Sequence, residues 1–157
     1  MIIESWFSTQ LFFKDLANVL PLARQACAGI ELRKSIQPYA ITNGGITTYP
    51  TDSELSKSSY DFLKHEIAVA VSEAARSQNV NMDLFEVEIR DLWMNKMLMD
   101  SEHATHAHAP AAFAGCLYVT CPEGSAHTRF YSPIKQLSLS SGVPGQNSVN
   151  SEWVDVK

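Results

Sequence analysis

The sequence predicts an α+β fold in which two N-terminal helices precede a region made mostly of β-strands. Apolar residues recur at helical spacing in two segments, 18–33 and 59–77. After Asn79 this period gives way to an alternation of apolar and polar residues. Turns that contain Gly and Pro then separate short segments of strand length, which is typical of antiparallel β structure.

Each helix is predicted from one apolar face. The first runs from Asn18 to about Arg33, and it tolerates Pro21 because this residue lies in the first turn. The second runs from about Ser59 to Ser77, with Ser58 or Ser59 as the N-cap. The apolar faces are Leu22, Ala23, Ala26, Cys27 and Ile30 in the first helix, and Leu63, Ile67, Ala70, Val71 and Ala74 in the second.

Short segments rich in aromatic and β-branched residues are predicted as strands. Pro122 to Ser125 supplies turn residues between two of them, which predicts a hairpin, and the polar stretch from Ser138 to Ser151 predicts a long loop. The predicted strands are Trp6–Phe13, Phe85–Trp93, Ala112–Cys121, Thr128–Tyr131 and Glu152–Val156.

Length, charge and cysteine content narrow the class of protein. The 157 residues suit one domain, 1–157, and the net charge of −5 without a basic stripe argues against a nucleic-acid partner. No apolar run approaches the length needed to span a bilayer, so we expect no membrane partner. An odd set of three cysteines, Cys27, Cys116 and Cys121, indicates reduced thiols and a cytoplasmic location.

A cluster of histidines is the main chemical signal. In an extended segment, the side chains of His106 and His108 project from one face, about 6–7 Å apart along the chain. Their rings can therefore meet at one metal ion, and neutral imidazole suits Fe, Zn, Cu and Ni. Although an H-x-H pattern also occurs in solvated loops, this one lies at the mouth of a predicted strand, where a jelly roll or cupin places its metal.

The remaining histidines are expected to have lesser roles. His103 lies three residues before His106, so it is expected to support the ligands or to face a substrate. His127 follows a predicted turn and is interpreted as an exposed residue at a strand end. His65 lies on the second helix beside charged residues and is interpreted as solvated.

Four short segments occur in a fixed order along the chain. They are Trp93-Met94-Asn95, His106-Ala107-His108, Ala114-Gly115-Cys116-Leu117-Tyr118-Val119 and Phe130-Tyr131-Ser132-Pro133. In this combination the chain resembles a family of Fe(II)- and 2-oxoglutarate-dependent oxygenases with bacterial, marine and phage members. Members carry a Trp-x-Asn strand, an H-x-H motif, a Ser-Gly-(aliphatic)-Tyr-Tyr-Val strand and a Phe-x-x-Pro segment. The resemblance covers nearly the whole chain.

The resemblance implies a double-stranded β-helix of the jelly-roll or cupin-like type, with the two helices packed on its sheet. It further implies a hydroxylase that binds Fe(II) through His106 and His108 and uses 2-oxoglutarate and O₂ on a small-molecule or peptide substrate. Asn95 and Tyr118 would then donate hydrogen bonds to 2-oxoglutarate, although a structural role for each is an equal alternative; the Tyr118 hydroxyl, for example, would be satisfied within the core.

The sequence also departs from the family pattern. Related oxygenases add a distal His and an Arg that pairs with the cosubstrate, but no His follows His127 and no Arg follows Arg129. We therefore expect the last strands of the fold to be missing and the uncovered sheet edges to favour association of identical chains. Ala114 also stands where the family has Ser. The alternatives are a cupin-like protein that binds another metal, and a non-catalytic structural or virion interaction protein.

Overall fold

The structure is a computed structural model that describes residues 9–34, 41, 44–49, 57–131 and 153–156. The chain separates into two compact units, one formed by Lys14–Thr120 and the other by Met1–Phe13 with Cys121–Lys157. The first unit carries two α-helices and a three-stranded sheet, and the second carries a two-stranded sheet. The predicted α+β content is present, while the single domain and the double-stranded β-helix stay predictions.

The two predicted helices are confirmed, with shorter ends for the first. Helix α1 spans Leu20–Ala28, with proline in its first turn, and helix α2 spans Asp61–Ser77. The predicted serine cap of α2 is wrong, because Ser58–Tyr60 form a 3₁₀ turn in which the Tyr60 N–H donates to the Lys57 carbonyl at 3.1 Å. The carbonyl groups of this turn accept hydrogen bonds from N–H groups that would otherwise donate to a side-chain cap. No helix of the described chain is both long and apolar enough to cross a membrane.

The buried apolar residues of the described chain lie mainly on and beside the two helices. They are Val19, Ala23, Ile41, Tyr60, Leu63 and Ala75. The Tyr60 hydroxyl, in the turn before α2, donates to the Ala26 carbonyl of α1 at 3.1 Å. Lys14, in the segment before α1, pairs with Glu73 of α2. Leu22 was predicted on the apolar face of α1 but is 52% exposed. The buried face of this helix is therefore centred on Ala23.

The three-stranded sheet places the histidine segment. Its strands are β1 (Arg33–Lys34), β2 (Ile46–Thr47) and β3 (Asn95–Lys96), all antiparallel with β2 in the centre. A hydrogen bond from the Thr48 N–H to the Met94 carbonyl at 3.0 Å extends the pairing of β2 with β3 at one end, and an isolated bridge joins Ile41 to His103. The segment before β2 thus runs beside the start of the histidine segment.

The predicted strands have mixed outcomes. Strands β4 (Thr128–Tyr131) and β5 (Trp153–Val156) confirm two of them, and they pair with each other over four register positions. The predicted turn is also present, because Gly124 has a φ of +82° and the Ser125 N–H donates to the Pro122 carbonyl at 3.0 Å. The predicted hairpin partner is wrong, since β4 pairs with β5.

Other predicted strands form no ladder. Residues 9–13, 85–93 and 112–121 contain no strand, because the described residues provide no backbone partner for them. Val87 and Ile89 are half-buried while Glu86 and Glu88 are exposed, so the alternation is visible in burial even without strand pairing. Trp6 to Ser8 and the predicted loop from Ser138 to Ser151 lie outside the described residues.

A close approach at Gly45 predicts a stability effect. A Cβ atom at this position would clash with the Ile41 Cγ2 and would lie 3.3 Å from the Ser101 Cβ. We expect Gly45→Ala to lower the free energy of unfolding by about 1–3 kcal/mol, since Ile41 is buried and must move. Gly29→Ala is the matched control, because nothing lies within 4 Å of its added Cβ. Equal urea midpoints for the two variants would contradict this packing.

Candidate metal site

The histidine segment follows a tight turn after β3. The Ser101 hydroxyl closes this turn by accepting a hydrogen bond from the Leu98 N–H and donating one to the Leu98 carbonyl, both at 2.7 Å. Asp100 in the turn has a φ of +61°, a conformation that Asp tolerates better than most residues. The chain then reaches His103, whose backbone pairs with Ile41. The start of the segment is therefore held by both a turn and an isolated bridge to Ile41.

His106 and His108 bring their Nε2 atoms together. The two nitrogens are 3.1 Å apart, and the ring planes are nearly perpendicular, at 83°. Both residues are exposed. The structure thus places the two predicted ligands as a pair with their Nε2 atoms adjacent on the surface of the Lys14–Thr120 unit.

Hydrogen bonding assigns the protons on this pair. The His106 Nδ1 lies 2.7 Å from the Ala104 carbonyl, which can only accept, so this nitrogen carries a proton and donates it. In the neutral ring the His106 Nε2 is then an unprotonated acceptor, and the His108 Nε2–H donates to it. One proton therefore lies between the two Nε2 atoms, and a metal bound by both nitrogens would replace it.

The geometry of the pair fits chelation of one ion. With metal–nitrogen distances near 2.1 Å, a separation of 3.1 Å corresponds to an angle of about 90–100° at the metal, as between neighbouring ligands of an octahedron. Rings aimed at one such ion would have centroids about 4.8 Å apart, whereas a head-on hydrogen bond would place them about 5.4 Å apart. The centroids are 4.6 Å apart. The centroid distance is therefore shorter than a head-on arrangement of the two rings would give.

Other aromatic rings surround the pair. His103 stacks on His106 with centroids 4.4 Å apart and planes 31° apart, and Trp93 lies against His108 with a centroid distance of 5.5 Å. Tyr49 contacts Trp93 edge-on at 5.6 Å. His103 thus contacts the His106 ring, while its role in supporting the ligands stays a prediction. The Trp93 ring contacts the second ring of the pair, that of His108.

The described part of the chain supplies two protein ligands at this point and no more. No group of three or more His, Cys, Asp or Glu side chains among the described residues could hold a metal ion. The charge of Asp91 acts on His108 and raises its pKa, but this effect is smaller than those that lower it. A metal on the pair would therefore keep several positions open for other ligands.

Burial and neighbouring rings lower the pKa values of two histidines, His103 and His108. The pKa of His103 is lowered by partial burial and then by the neighbouring His106 and His108, and the pKa of His108 is lowered by partial burial and then by His106. Proton binding at these rings is therefore weaker in the folded chain than in the unfolded chain.

This difference predicts a pH dependence of stability. The unfolded chain binds more protons at these two positions once the pH falls below about 6.5, so their contribution to stability is present above that pH and is lost as the pH falls through the lower folded pKa values. We expect the metal-free wild type to lose more unfolding free energy between pH 7.5 and pH 5 than His103→Gln/His108→Gln. Urea unfolding at both pH values measures this difference. Parallel losses would contradict the shifts.

The two residues predicted to bind the cosubstrate lie in different surroundings. Asn95 is exposed on β3, and its Oδ1 accepts a hydrogen bond from the Thr47 hydroxyl at 2.6 Å. Tyr118 is 40% exposed, and the adjacent Val119 carbonyl accepts a hydrogen bond from the Arg24 Nε of α1 at 3.0 Å. Asn95 lies two residues after Trp93, which contacts His108 of the histidine pair. Tyr118 instead lies in a segment that is hydrogen-bonded to α1.

Sequence reasoning missed two contributors to the site. Trp93 was recognised only as part of a motif, and Thr47 was not singled out. Their roles depend on the pairing of β2 with β3, whose partners are separated by 48 residues in the case of Thr47 and Asn95. The Thr47-Thr48 pair after Gly44-Gly45 is a weak signal for a strand that follows a turn.

Comparisons with protein-family models, with curated proteins and with solved structures find no match to this chain.

Proposed function

We propose that His106 and His108 bind Fe(II) and that the chain is a non-haem, 2-oxoglutarate-dependent oxygenase acting on a small-molecule or peptide substrate. The observation that supports this proposal is the 3.1 Å separation of the two Nε2 atoms, which is the separation expected for neighbouring ligands of an octahedral ion. The resemblance in the four ordered motifs supplies the reaction class. The free thiols of Cys27, Cys116 and Cys121 fit a reducing cytoplasmic setting.

Different residues of this chain would bind the metal and the cosubstrate. His106 presents an Nε2 lone pair that is fixed by its Nδ1–H bond to Ala104, and His108 presents its Nε2 after moving its proton to Nδ1. Trp93 contacts the His108 ring. Bound iron would activate O₂ for the oxidation of 2-oxoglutarate and substrate. The exposed Asn95 would bind a carboxylate of the cosubstrate.

A second candidate is a cupin-like protein that binds Zn(II) or Ni(II) without this reaction. The specific observation in its favour is that no carboxylate or third histidine joins the pair among the described residues. Imidazole nitrogens bind these ions as well as iron. The two candidates differ in whether the bound metal takes up 2-oxoglutarate.

Ligand binding distinguishes the candidates without requiring turnover. Metal-free protein would be titrated with Fe(II) under anaerobic conditions, and the loaded protein would then be titrated with 2-oxoglutarate in a calorimeter. We expect one Fe(II) per chain, with 2-oxoglutarate binding only after the metal. Metal binding without 2-oxoglutarate binding favours the second candidate, and the absence of any metal binding overturns both.

A further inference from the structure

The face of the sheet that carries Trp93 also carries Thr47 and Asn95. Thr47 pairs with Asn95 in the β2–β3 register, and Tyr49 and Trp93, two residues further along, touch through their rings. Residues two apart on a strand lie on the same face, about 6–7 Å along the chain. Trp93 in turn contacts His108. Asn95 therefore lies on the face that leads to the histidine pair.

The Thr47 hydroxyl is buried and has defined hydrogen bonds. Thr47 is only 2% exposed, and its Oγ1 accepts a hydrogen bond from the Tyr49 N–H at 3.1 Å. Its single proton can reach the Asn95 Oδ1 at 2.6 Å or the Met94 carbonyl at 3.3 Å. The shorter contact is preferred, and its length is that of an O–H···O bond rather than of the longer N–H···O bond.

These bonds fix the orientation of the Asn95 amide. Because the oxygen end of the amide faces the Thr47 hydroxyl, the NH₂ end points away from it, and no described residue accepts a hydrogen bond from this group. The amide thus offers two N–H donors and a positive dipole end at the exposed edge of β3. Donors in a fixed orientation are suited to the oxygen atoms of a carboxylate.

We infer that Thr47 is a positioning residue that turns the Asn95 amide so that its NH₂ group binds a carboxylate of the 2-oxo acid cosubstrate. The inference depends on the proposed function, because that function supplies the carboxylate. Thr47 touches no ligand itself and acts through the orientation of Asn95.

The test compares hydroxyl removal at two neighbouring buried threonines in the full chain loaded with Fe(II) under anaerobic conditions. Thr47→Val removes the bond to Asn95, and Thr47→Ser retains it. Thr48→Val is the matched control, since the Thr48 Oγ1 accepts from the Met94 N–H at 3.0 Å and has no bond to Asn95 in the described network. We expect Thr47→Val to weaken 2-oxoglutarate binding by roughly tenfold, because a hydrogen bond to a charged group is lost or misdirected.

Three further readouts separate orientation from general damage. Fe(II) affinity is expected to stay within about twofold in every threonine variant, because the metal ligands are unchanged. Thr47→Ser is expected to bind 2-oxoglutarate as the wild type does, because it keeps the hydroxyl. In the wild type, 2-oxoglutarate is expected to shift the side-chain amide NMR signals of Asn95, and this response should be lost in Thr47→Val.

The outcomes distinguish failure of this inference from failure of the proposed function. Equal 2-oxoglutarate affinity in wild type and Thr47→Val, or an equal loss in Thr48→Val, overturns the role of Thr47 and leaves the oxygenase proposal standing. A metal-loaded wild type that binds no 2-oxoglutarate overturns both. If Thr47→Val does not fold, Asn95→Asp is measured instead. This variant removes the NH₂ donors and adds a negative charge that repels a carboxylate, so unchanged 2-oxoglutarate affinity in Asn95→Asp overturns the inference.

Discussion

The double variant His106→Ala/His108→Ala is expected to lose divalent-metal binding. Removal of a group that only orients a metal ligand already weakens binding by about 10–100-fold, so removal of both ligands should cost at least about 100-fold. The two single variants should each account for most of this loss, because one remaining imidazole cannot chelate. Their effects are therefore expected to be strongly non-additive. Calorimetric titration with Fe(II) or Zn(II) measures all three variants.

The control for this prediction is His65→Ala. His65 is an exposed residue of α2, outside the histidine cluster, and has the same coordinating group. Its replacement should leave the metal affinity within about twofold of wild type, as expected for an independent surface position. Equal metal binding by wild type and the double variant would remove His106 and His108 from the site.

Leu63→Ala is expected to have the largest effect on folding. Leu63 is 6% exposed on α2 and is one of six buried apolar residues in the described chain. Truncation of a buried Leu removes transfer free energy and leaves a cavity, which lowers the free energy of unfolding by about 2–5 kcal/mol. Such a loss is a large part of the stability of an ordinary domain. Urea unfolding followed by circular dichroism gives the value.

Leu22→Ala provides the comparison with an exposed leucine. Leu22 is 52% exposed on α1, so its truncation should change the free energy of unfolding by no more than about 0.5 kcal/mol. If the two leucine variants were equally stable, the assignment of the buried face of α2 would be wrong.

The helices could be predicted from the sequence because their signal is local. The apolar period of α2 selects Leu63, which is buried, and the position of Pro21 marks the first turn of α1. The rotation of α1 could not be predicted, since Leu22 and Ala23 are both apolar and only contacts with distant residues decide which is buried. The serine cap of α2 was predicted wrongly because a 3₁₀ turn stands in its place.

Strand pairing was predicted less well. Alternation in residues 85–93 indicates an extended chain, but a strand also needs a partner, and the partner is set by contacts far along the sequence. Thr128–Tyr131 was predicted as a strand and confirmed, yet its partner is Trp153–Val156 rather than the segment before the turn. Strand register also depends on long-range contacts, so the pairing of Thr47 with Asn95 could not be predicted from the sequence.

The candidate site was predictable where it depends on neighbours in the chain. The two-residue spacing of His106 and His108 predicts rings on one side, and the structure brings their Nε2 atoms to 3.1 Å. The hydrogen bond that fixes the His106 tautomer was not predictable, because it depends on the local path of the chain at Ala104. Iron and 2-oxoglutarate stay predictions that the binding experiments test.

The most direct test of the account follows the ring nitrogens of the histidines by NMR as Zn(II) is added. A His65→Gln/His127→Gln background leaves the signals of the cluster, which are His103, His106 and His108. We predict that the Nε2 signals of His106 and His108 shift together at one Zn(II) per chain, that His106 keeps its proton on Nδ1, and that His108 moves its proton from Nε2 to Nδ1. Coordination of Zn(II) through the Nδ1 of either ring, or through only one of the two rings, would contradict the chelate.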